Sequence, residues 1–458
     1  MIDTLQDILL KLSNFEYVEL RHHRAENTVI RIVDGTVEEA SSGVITGTGI
    51  RVLQNGAWGF AATNSPNKKD IVNAGHEAGS MARKGSKYLL SPSKLADIPI
   101  GKQKYQSPNK FDLRKMPIEE KFEKFTEAST WIQKQEKVAS YTLDYTEYNE
   151  EVSFVSSEGN CFQRSSQKPT MFSSIILADK GKVRPSIQSH FRTCGAEFFD
   201  IYDPLETTKE AYEEGIRLLG AQAVKGGKHN VVLDYNIVGL LAHEAIGHTA
   251  ESDLVKSGSF LKDKQGENVA SELVTLCDSP VSEDAAGWLP IDDEGVIGKT
   301  VEIIKDGVLN GYLVNRIDAK IMDLEPTGNA RAFTHRDIPI VRMRNTYFEV
   351  GDMSEEELIE LTKSGYYIKG VMNGEADFNG EFMFGAREAL EIKNGELTGV
   401  SFVGPCISGN SFDVLQSVVG VGKTFRMDLG TGFCGKIQPA IVDGGGPLLA
   451  CTALLGGT

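Results

Sequence analysis

Leu-Ala-His-Glu-Ala-Ile-Gly-His-Thr-Ala-Glu-Ser-Asp, residues Leu241 to Asp253, is the stretch from which the rest of the chain is best read. His243 and His248 can each offer a neutral imidazole to a divalent metal, and Glu244 sets a carboxylate beside them. Together these are the parts of a metal site with its own general base. The spacing is unusual. In the common zinc-protease pattern the two histidines stand four apart on one helix face, whereas a separation of five on an ideal α-helix turns the side chains about 140° away from each other. A regular helix would spoil the site. A local bulge with one extra residue in the turn restores it, and Gly247 falls where such a distortion is tolerated.

Just upstream, Asn230 to Asp234 reads as a short apolar strand that runs through Tyr235 and Asn236 into Ile237-Val238-Gly239-Leu240-Leu241-Ala242. This lead-in is apolar on every side and predicts a buried helix, so the polar motif it carries must find partners inside the protein. The chain's other His-Glu pair, His76-Glu77, has no second histidine in reach and reads as helix surface. Downstream, strands dominate. Asp306-Gly307, Asn310-Gly311 and Asn394-Gly395 are hairpin dipeptides, and one helix spans Ser354 to Ser364, opened by a Ser354/Glu357 capping box and ended at Gly365.

Toward the N-terminus, Ile2, Leu5, Ile8, Leu9 and Leu12 recur at helical spacing. Tyr17 to Arg21, Thr28 to Val33 and Ile50 to Thr63 alternate as strands, with Asp34-Gly35 and Asn55-Gly56 as hairpin turns. A helix follows over Lys69 to Arg83. Gly85 to Arg114 is rich in Ser, Pro, Lys and Gln and reads as a linker or excursion. Pro117 opens a helix with Ile118, Phe122, Phe125 and Ile132 on one face. Strands over Val138 to Tyr148, Glu150 to Ser156 and Cys161 to Leu177 come next, broken at Asn149 and at Ser157 to Asn160, and a helix from Pro204 to about Ala223 closes this half. Gly226-Gly227 is the expected boundary. The expectation is an α+β, strand-rich protein of two domains. Residues 1–226 form N-terminal α/β lobes (1–110 and 111–226), and residues 227–458 form a curved, partly barrel-like β domain that carries the metal-binding helix.

Composition narrows the function classes. With 458 residues, the chain is long for one core. Its 40% hydrophobic and 24% charged residues suit a soluble globular protein. A net charge of -16 speaks against direct binding to nucleic acid, which calls for clustered Lys and Arg. The first twenty residues lack a secretion-signal layout, and no apolar run is long enough for a bilayer, so no membrane partner is expected. The six cysteines, Cys161, Cys194, Cys277, Cys406, Cys434 and Cys451, follow no disulfide framework and suit a reducing cytoplasm.

His243, Glu244, His248, Glu251 and Asp253 match the motif His-Glu-x-x-x-His-x-x-Glu-x-Asp, and here the chain resembles the TldD/PmbA family of metallopeptidases, the TldD branch in particular. Asp292-Asp293-Glu294-Gly295, Pro326-Thr327-Gly328-Asn329-Ala330-Arg331, Asn345-Thr346-Tyr347, Cys434-Gly435-Lys436 and Gly456-Gly457-Thr458 resemble family landmarks in the expected order. The likeness is strongest from about residue 229 onward. It implies a zinc site of both motif histidines and a cysteine near the C-terminus, which corresponds to Cys434. The residues alone leave Cys406, Cys451, His335 and Glu251 chemically able to be the third ligand. One departure bears on the local loop: in the family pattern a Gln follows Cys-Gly-Lys after two further residues, whereas Gln438 comes after Ile437 only.

The ligand set so implied leaves a fourth position for water, with Glu244 as general base and Glu251 and Asp253 as acceptors for an imidazole N–H. The expected activity is zinc-dependent hydrolysis of unstructured peptides or unfolded protein segments. The family also implies a dimer, either a homodimer or a heterodimer with a PmbA-like relative. The alternative is a non-catalytic scaffold or partner subunit, since the PmbA branch lacks the metal motif. A nucleotide site at Val419 to Thr424 is disfavoured because Ser417 stands where a phosphate loop needs glycine.

Overall fold

Strand alternation near the N-terminus builds a long meander in the computed structural model, which describes residues 1–282, 284–430 and 432–456. The landmark residues Gly457 and Thr458 lie outside the described residues. Strands β1 (Tyr17–Val33), β2 (Thr36–Gln54) and β3 (Ala57–Thr63) turn at Asp34-Gly35 and Asn55-Gly56. Both residues of each turn take positive φ, 49° and 83°, then 52° and 74°, as a two-residue type I′ hairpin requires. With β4 (Lys102–Gln106), β5 (Val138–Ser156), β6 (Cys161–Asp179) and β7 (Lys182–Phe191) they form a seven-stranded sheet in which β1 pairs with β5 and β5 with β6.

Two expectations fail here. The chain does not break at Asn149, because β5 is a central strand whose Asn149 is opposite Glu26 on one side and Gln167 on the other. The polar excursion of residues 85–114 contains β4, which pairs in parallel with β6. The sheet is long enough to hold two helical layers in succession. Helices Ile2–Leu10 and Lys68–Gly85 bury Leu5, Ile8, Ile71 and Ala78 against Leu20 and Val52. Helices Ile118–Ile132 and Pro204–Leu219 bury Phe125, Ile132 and Ala211 against Ile30, Leu143 and Ile175. His76 and Glu77 lie exposed on the second helix.

The C-terminal half contains a closed barrel of five strands: β8 (Gly227–Leu233), β9 (Ser364–Ala376), β10 (Glu381–Lys393), β11 (Cys406–Asn410) and β12 (Leu449–Gly456). The ring closes in the order β9-β8-β12-β11-β10 and back to β9, with β8 and β9 parallel and every other pair antiparallel. With 43% strand and 24% helix, the protein is the strand-rich α+β fold expected, including its barrel-like part. A six-stranded sheet built around Leu276–Ser279 and Asn345–Phe348 stands beside the barrel.

Asp306-Gly307 and Asn394-Gly395 make positive-φ turns, but Asn310-Gly311 follows a two-residue strand into loop and closes no hairpin. The Ser354/Glu357 capping box forms, with bonds of 3.2 and 2.6 Å. That helix ends at Thr362 on the positive φ of Lys363, so Gly365 already belongs to β9. Among the described residues no helix is long and apolar enough to cross a membrane.

Candidate metal centre

β8 delivers the chain to Asp234, whose carboxylate accepts from the Ile237 N–H at 3.0 Å and caps helix Tyr235–Leu240. Ile237, Val238, Leu240, Leu241, Ala245 and Ile246 are all buried in the largest core cluster, as the all-round apolar lead-in predicted. At Leu241 the helix widens. Residues Leu241–Gly247 form a π turn, in which the N–H of His248 donates to the carbonyl of His243, five residues back. Residues His248–Ala250 then tighten into a 3₁₀ turn.

This widened turn resolves the spacing of five. The His243 and His248 rings come within 5.1 Å, centroid to centroid, at 79° to each other. The role expected of Gly247 needs correcting. Its φ of -55° is open to any residue, so no special backbone freedom is used. A glycine is required because a Cβ there would sit 1.9 Å from the Met343 sulfur.

The sulfur of Cys434 is 3.0 Å from Nε2 of His248. Cys434 comes from a small hairpin, Phe433–Lys436 paired with Gln438–Ile441, in which Lys436 is opposite Gln438 and Ile437 alone makes the turn at φ 63°. A single-residue turn is what the early Gln438 looks like in three dimensions. Gln438 fixes the hairpin by accepting from the Phe333 N–H and donating to the Ile338 carbonyl, both at 2.8 Å.

Among the described residues, His243, His248 and Cys434 are the one group of His, Cys, Asp or Glu side chains with metal-binding geometry, their ligand atoms all within 4.8 Å of one another. The site fits a dication. Both ring nitrogens of His243 are buried without a hydrogen-bond partner, a costly state that coordination would relieve. Burial opposes the Cys434 thiolate, but the imidazoles of His243 and His248 outweigh it and pull the thiol down to about 4, so a sulfur anion is ready as ligand. Two imidazoles and a thiolate are a donor set that suits zinc-like, borderline-soft ions.

The other candidates stand apart from this group. Cys406 and Cys451 lie in barrel strands β11 and β12. His335 is engaged elsewhere, with Nε2 2.8 Å from Asn64 Oδ1. Glu251, fully buried, lies behind His248 and accepts from its Nδ1 at 3.1 Å. Burial opposes the Glu251 charge, yet His248, Lys436 and Arg342 hold its carboxyl down at about 2. Burial likewise opposes a charged His248, but Glu251 and Cys434 lift its imidazole to about 10.

Sequence reasoning missed two residues of this shell. The Lys436 ammonium is 2.7 Å from Glu251 and donates to Asp253 at 2.9 and 3.0 Å and to the Val341 carbonyl at 2.8 Å. Asp253 therefore pairs with Lys436 rather than with an imidazole. Arg342, 1% exposed, donates to the carbonyls of Cys434 at 2.9 Å and Gln438 at 2.5 Å, with its Nε 3.8 Å from Glu251. The two cations thus join the helix that carries His248 to the hairpin that carries Cys434. Lys436 was visible only as part of a landmark, and Arg342 gave no signal, because an arginine in sequence reads as surface.

Above the group lies a cleft of about 470 Å³, lined by Glu244, His248, Cys434 and the end of β9 at Gly374, Glu375 and Ala376. An Oε2 of Glu244 is 3.7 Å from His248 Nε2. β8 pairs with β9 only as far as Ile368, whereas β10 stays paired to Ala376. The C-terminal end of β9 therefore presents, among the described residues, one edge without a partner strand where it lines the cleft.

Donor set, cleft carboxylate and barrel lie together in the C-terminal half. Family models cover both halves: the PmbA/TldA metallopeptidase C-terminal domain matches residues 226–449, and the PmbA/TldA metallopeptidase domain 1 matches residues 18–82. The chain belongs to the TldD/PmbA family. It is 37% identical over 436 residues to a metalloprotease of Methanocaldococcus jannaschii, covering 94% of this chain and 95% of that one. It is 30% identical over 434 residues to the zinc metalloprotease TldD homolog of Saccharolobus solfataricus, covering 94% of each. TldE from Thermococcus kodakarensis shares the fold at 21% identity, with a TM-score of 0.76 over 99% of both chains.

Proposed function

We propose that the protein is a zinc-dependent peptidase in which His243, His248 and Cys434 hold the metal, Glu244 is the general base, and an extended peptide docks along the free edge of β9. The observation that carries the reading is the conjunction of that donor group with an unpaired strand edge in one cleft. The relatives' names, metalloprotease and zinc metalloprotease, support the reaction class.

When bound, zinc supplies the positive charge that polarises a carbonyl and makes water nucleophilic near neutrality. The protein does the rest. Glu244 opens onto the cleft beside the ligands, where its carboxylate takes the proton from the attacking water and passes it to the leaving amine. Glu251 holds the His248 Nδ1–H, which fixes the tautomer and leaves Nε2 free as ligand. The β9 edge offers main-chain hydrogen bonds, which orient a substrate strand whatever its side chains.

Such docking selects unstructured segments, because a folded domain has already paired its backbone. The test incubates the zinc-loaded protein with a stable domain, a destabilised variant of it and a short peptide. The expected result is cleavage of the peptide and of the destabilised variant in proportion to its unfolding, blocked by chelators. Equal cleavage of the stable and destabilised forms would sink strand docking, and no cleavage of any substrate would favour the scaffold role.

A further inference from the structure

A second polar cavity lies where the N-terminal sheet meets the Cys434 hairpin, and it shares no lining residue with the metal-site cleft. It has a volume of about 30 Å³ and is lined by Glu150 on β5, Arg164 and Lys168 on β6, and Asp293, Arg331 and Ile441 from the C-terminal half. Lys168 is 4% exposed and Arg164 is 3% exposed. The charges do not balance: three cations face two carboxylates.

Arg164 takes both acids, at 3.4 Å from Glu150 and 3.1 Å from Asp293. Each acid has further donors: Glu150 is 3.1 Å from His23 Nε2, and Asp293 accepts from the Ala332 N–H at 2.9 Å. Lys168 and Arg331 are left with carbonyls only. Lys168 donates to Ala286 and, at 3.5 Å, to Trp288, and Arg331 donates to Met343 at 2.7 Å. Among the described residues neither is ion-paired to a carboxylate. A buried cation without an ion-paired carboxylate is costly, and burial and the nearby Arg331 outweigh the attraction of Glu150 and Asp443 and pull the Lys168 ammonium down to about 7.

We propose that this cavity is an anion site that takes one halide ion, chloride being the ligand, between Lys168 and Arg331. Size sets the class. A water needs about 10–15 Å³ on this measure, so the room suits a single chloride or about two waters and is too small for phosphate, sulfate or a peptide carboxylate with its chain. Charge decides between chloride and water, because an anion neutralises the excess cation while water leaves it unpaired. The bound ion would tie β6 to the 331–333 segment and, through Ile441, to the hairpin that presents Cys434. Folding and chloride would therefore be linked whether or not the metal is present.

The test is unfolding of the full chain at constant ionic strength while gluconate is exchanged for chloride or bromide. The unfolding midpoint should rise with either halide and saturate. In Lys168→Met the rise should vanish, and Arg331→Gln should need at least about tenfold more halide for the same rise, if the lost contact contributes on the order of 1.4 kcal/mol. A midpoint that ignores halide in the parent chain, or a Lys168→Met chain that keeps the dependence, overturns the proposal. If the methionine variant does not fold, bromide-soaked crystals of the parent decide. An anomalous peak between Lys168 and Arg331 supports the site, and water alone there refutes it.

Discussion

Replacing Glu251 by glutamine should weaken both the protein and its metal site, because one buried carboxylate serves three partners. It accepts from His248 Nδ1 at 3.1 Å, lies 2.7 Å from Lys436 and faces Arg342 at 3.8 Å. Glutamine keeps the size but removes the charge, and leaves a buried arginine without a counter-ion. The displacement of the Glu251 carboxyl from 4.5 to about 2 corresponds to about 3 kcal/mol at 1.36 kcal/mol per pH unit, in line with the ~3–5 kcal/mol for breaking a buried pair. The larger displacement at His248, to about 10, includes the Cys434 thiolate and so overstates this one contact.

The sign follows from the direction. A carboxyl held below its unfolded value stabilises the fold at pH above that value, 4.5, and loses the contribution as pH falls toward about 2. Urea unfolding of metal-stripped protein should therefore show the variant about 3 kcal/mol less stable near neutrality, with the gap closing in acid. Zinc affinity, measured against a competing chelator, should fall about 10–100-fold as His248 loses its orienting acceptor. Unchanged urea stability near neutrality together with unchanged zinc affinity would refute the view that Glu251 organises the site.

Cys434→Ser should lose more zinc affinity than Glu251→Gln, since a neutral hydroxyl replaces a thiolate ligand; metal analysis after dialysis checks this, and full retention would move the third ligand elsewhere. Glu244→Ala should keep its zinc and lose about 10²–10⁴ in turnover, and a variant that loses zinc as well would make Glu244 a ligand or structural residue. Gly247→Ala should drive a Cβ into the Met343 sulfur at 1.9 Å, costing about 1–3 kcal/mol in urea unfolding. Made in a Met343→Ala background, the same Gly247→Ala change should cost less than it does in the parent, and an equal cost in both backgrounds would refute the clash with the Met343 sulfur.

What the sequence determined by itself was local and periodic. Alternation and turn dipeptides located the strands around Asp34-Gly35 and Asn55-Gly56. The apolar run before His243 predicted burial of its helix, and the spacing of five called for a widened turn, because side-chain direction on a helix follows from residue count alone. Tertiary structure decided everything that joins distant segments. The residues alone left Cys434, Cys406, Cys451, His335 and Glu251 open, and only the hairpin's docking brings the Cys434 sulfur within 3.0 Å of His248. The roles of Arg342 and Lys436 were illegible because their partners are carbonyls and carboxylates far along the chain, and a buried cation carries no local mark. The role of Gly247 was misread for the same reason: the atom that requires a glycine there belongs to Met343, and a contact across the fold has no period for a sequence to show.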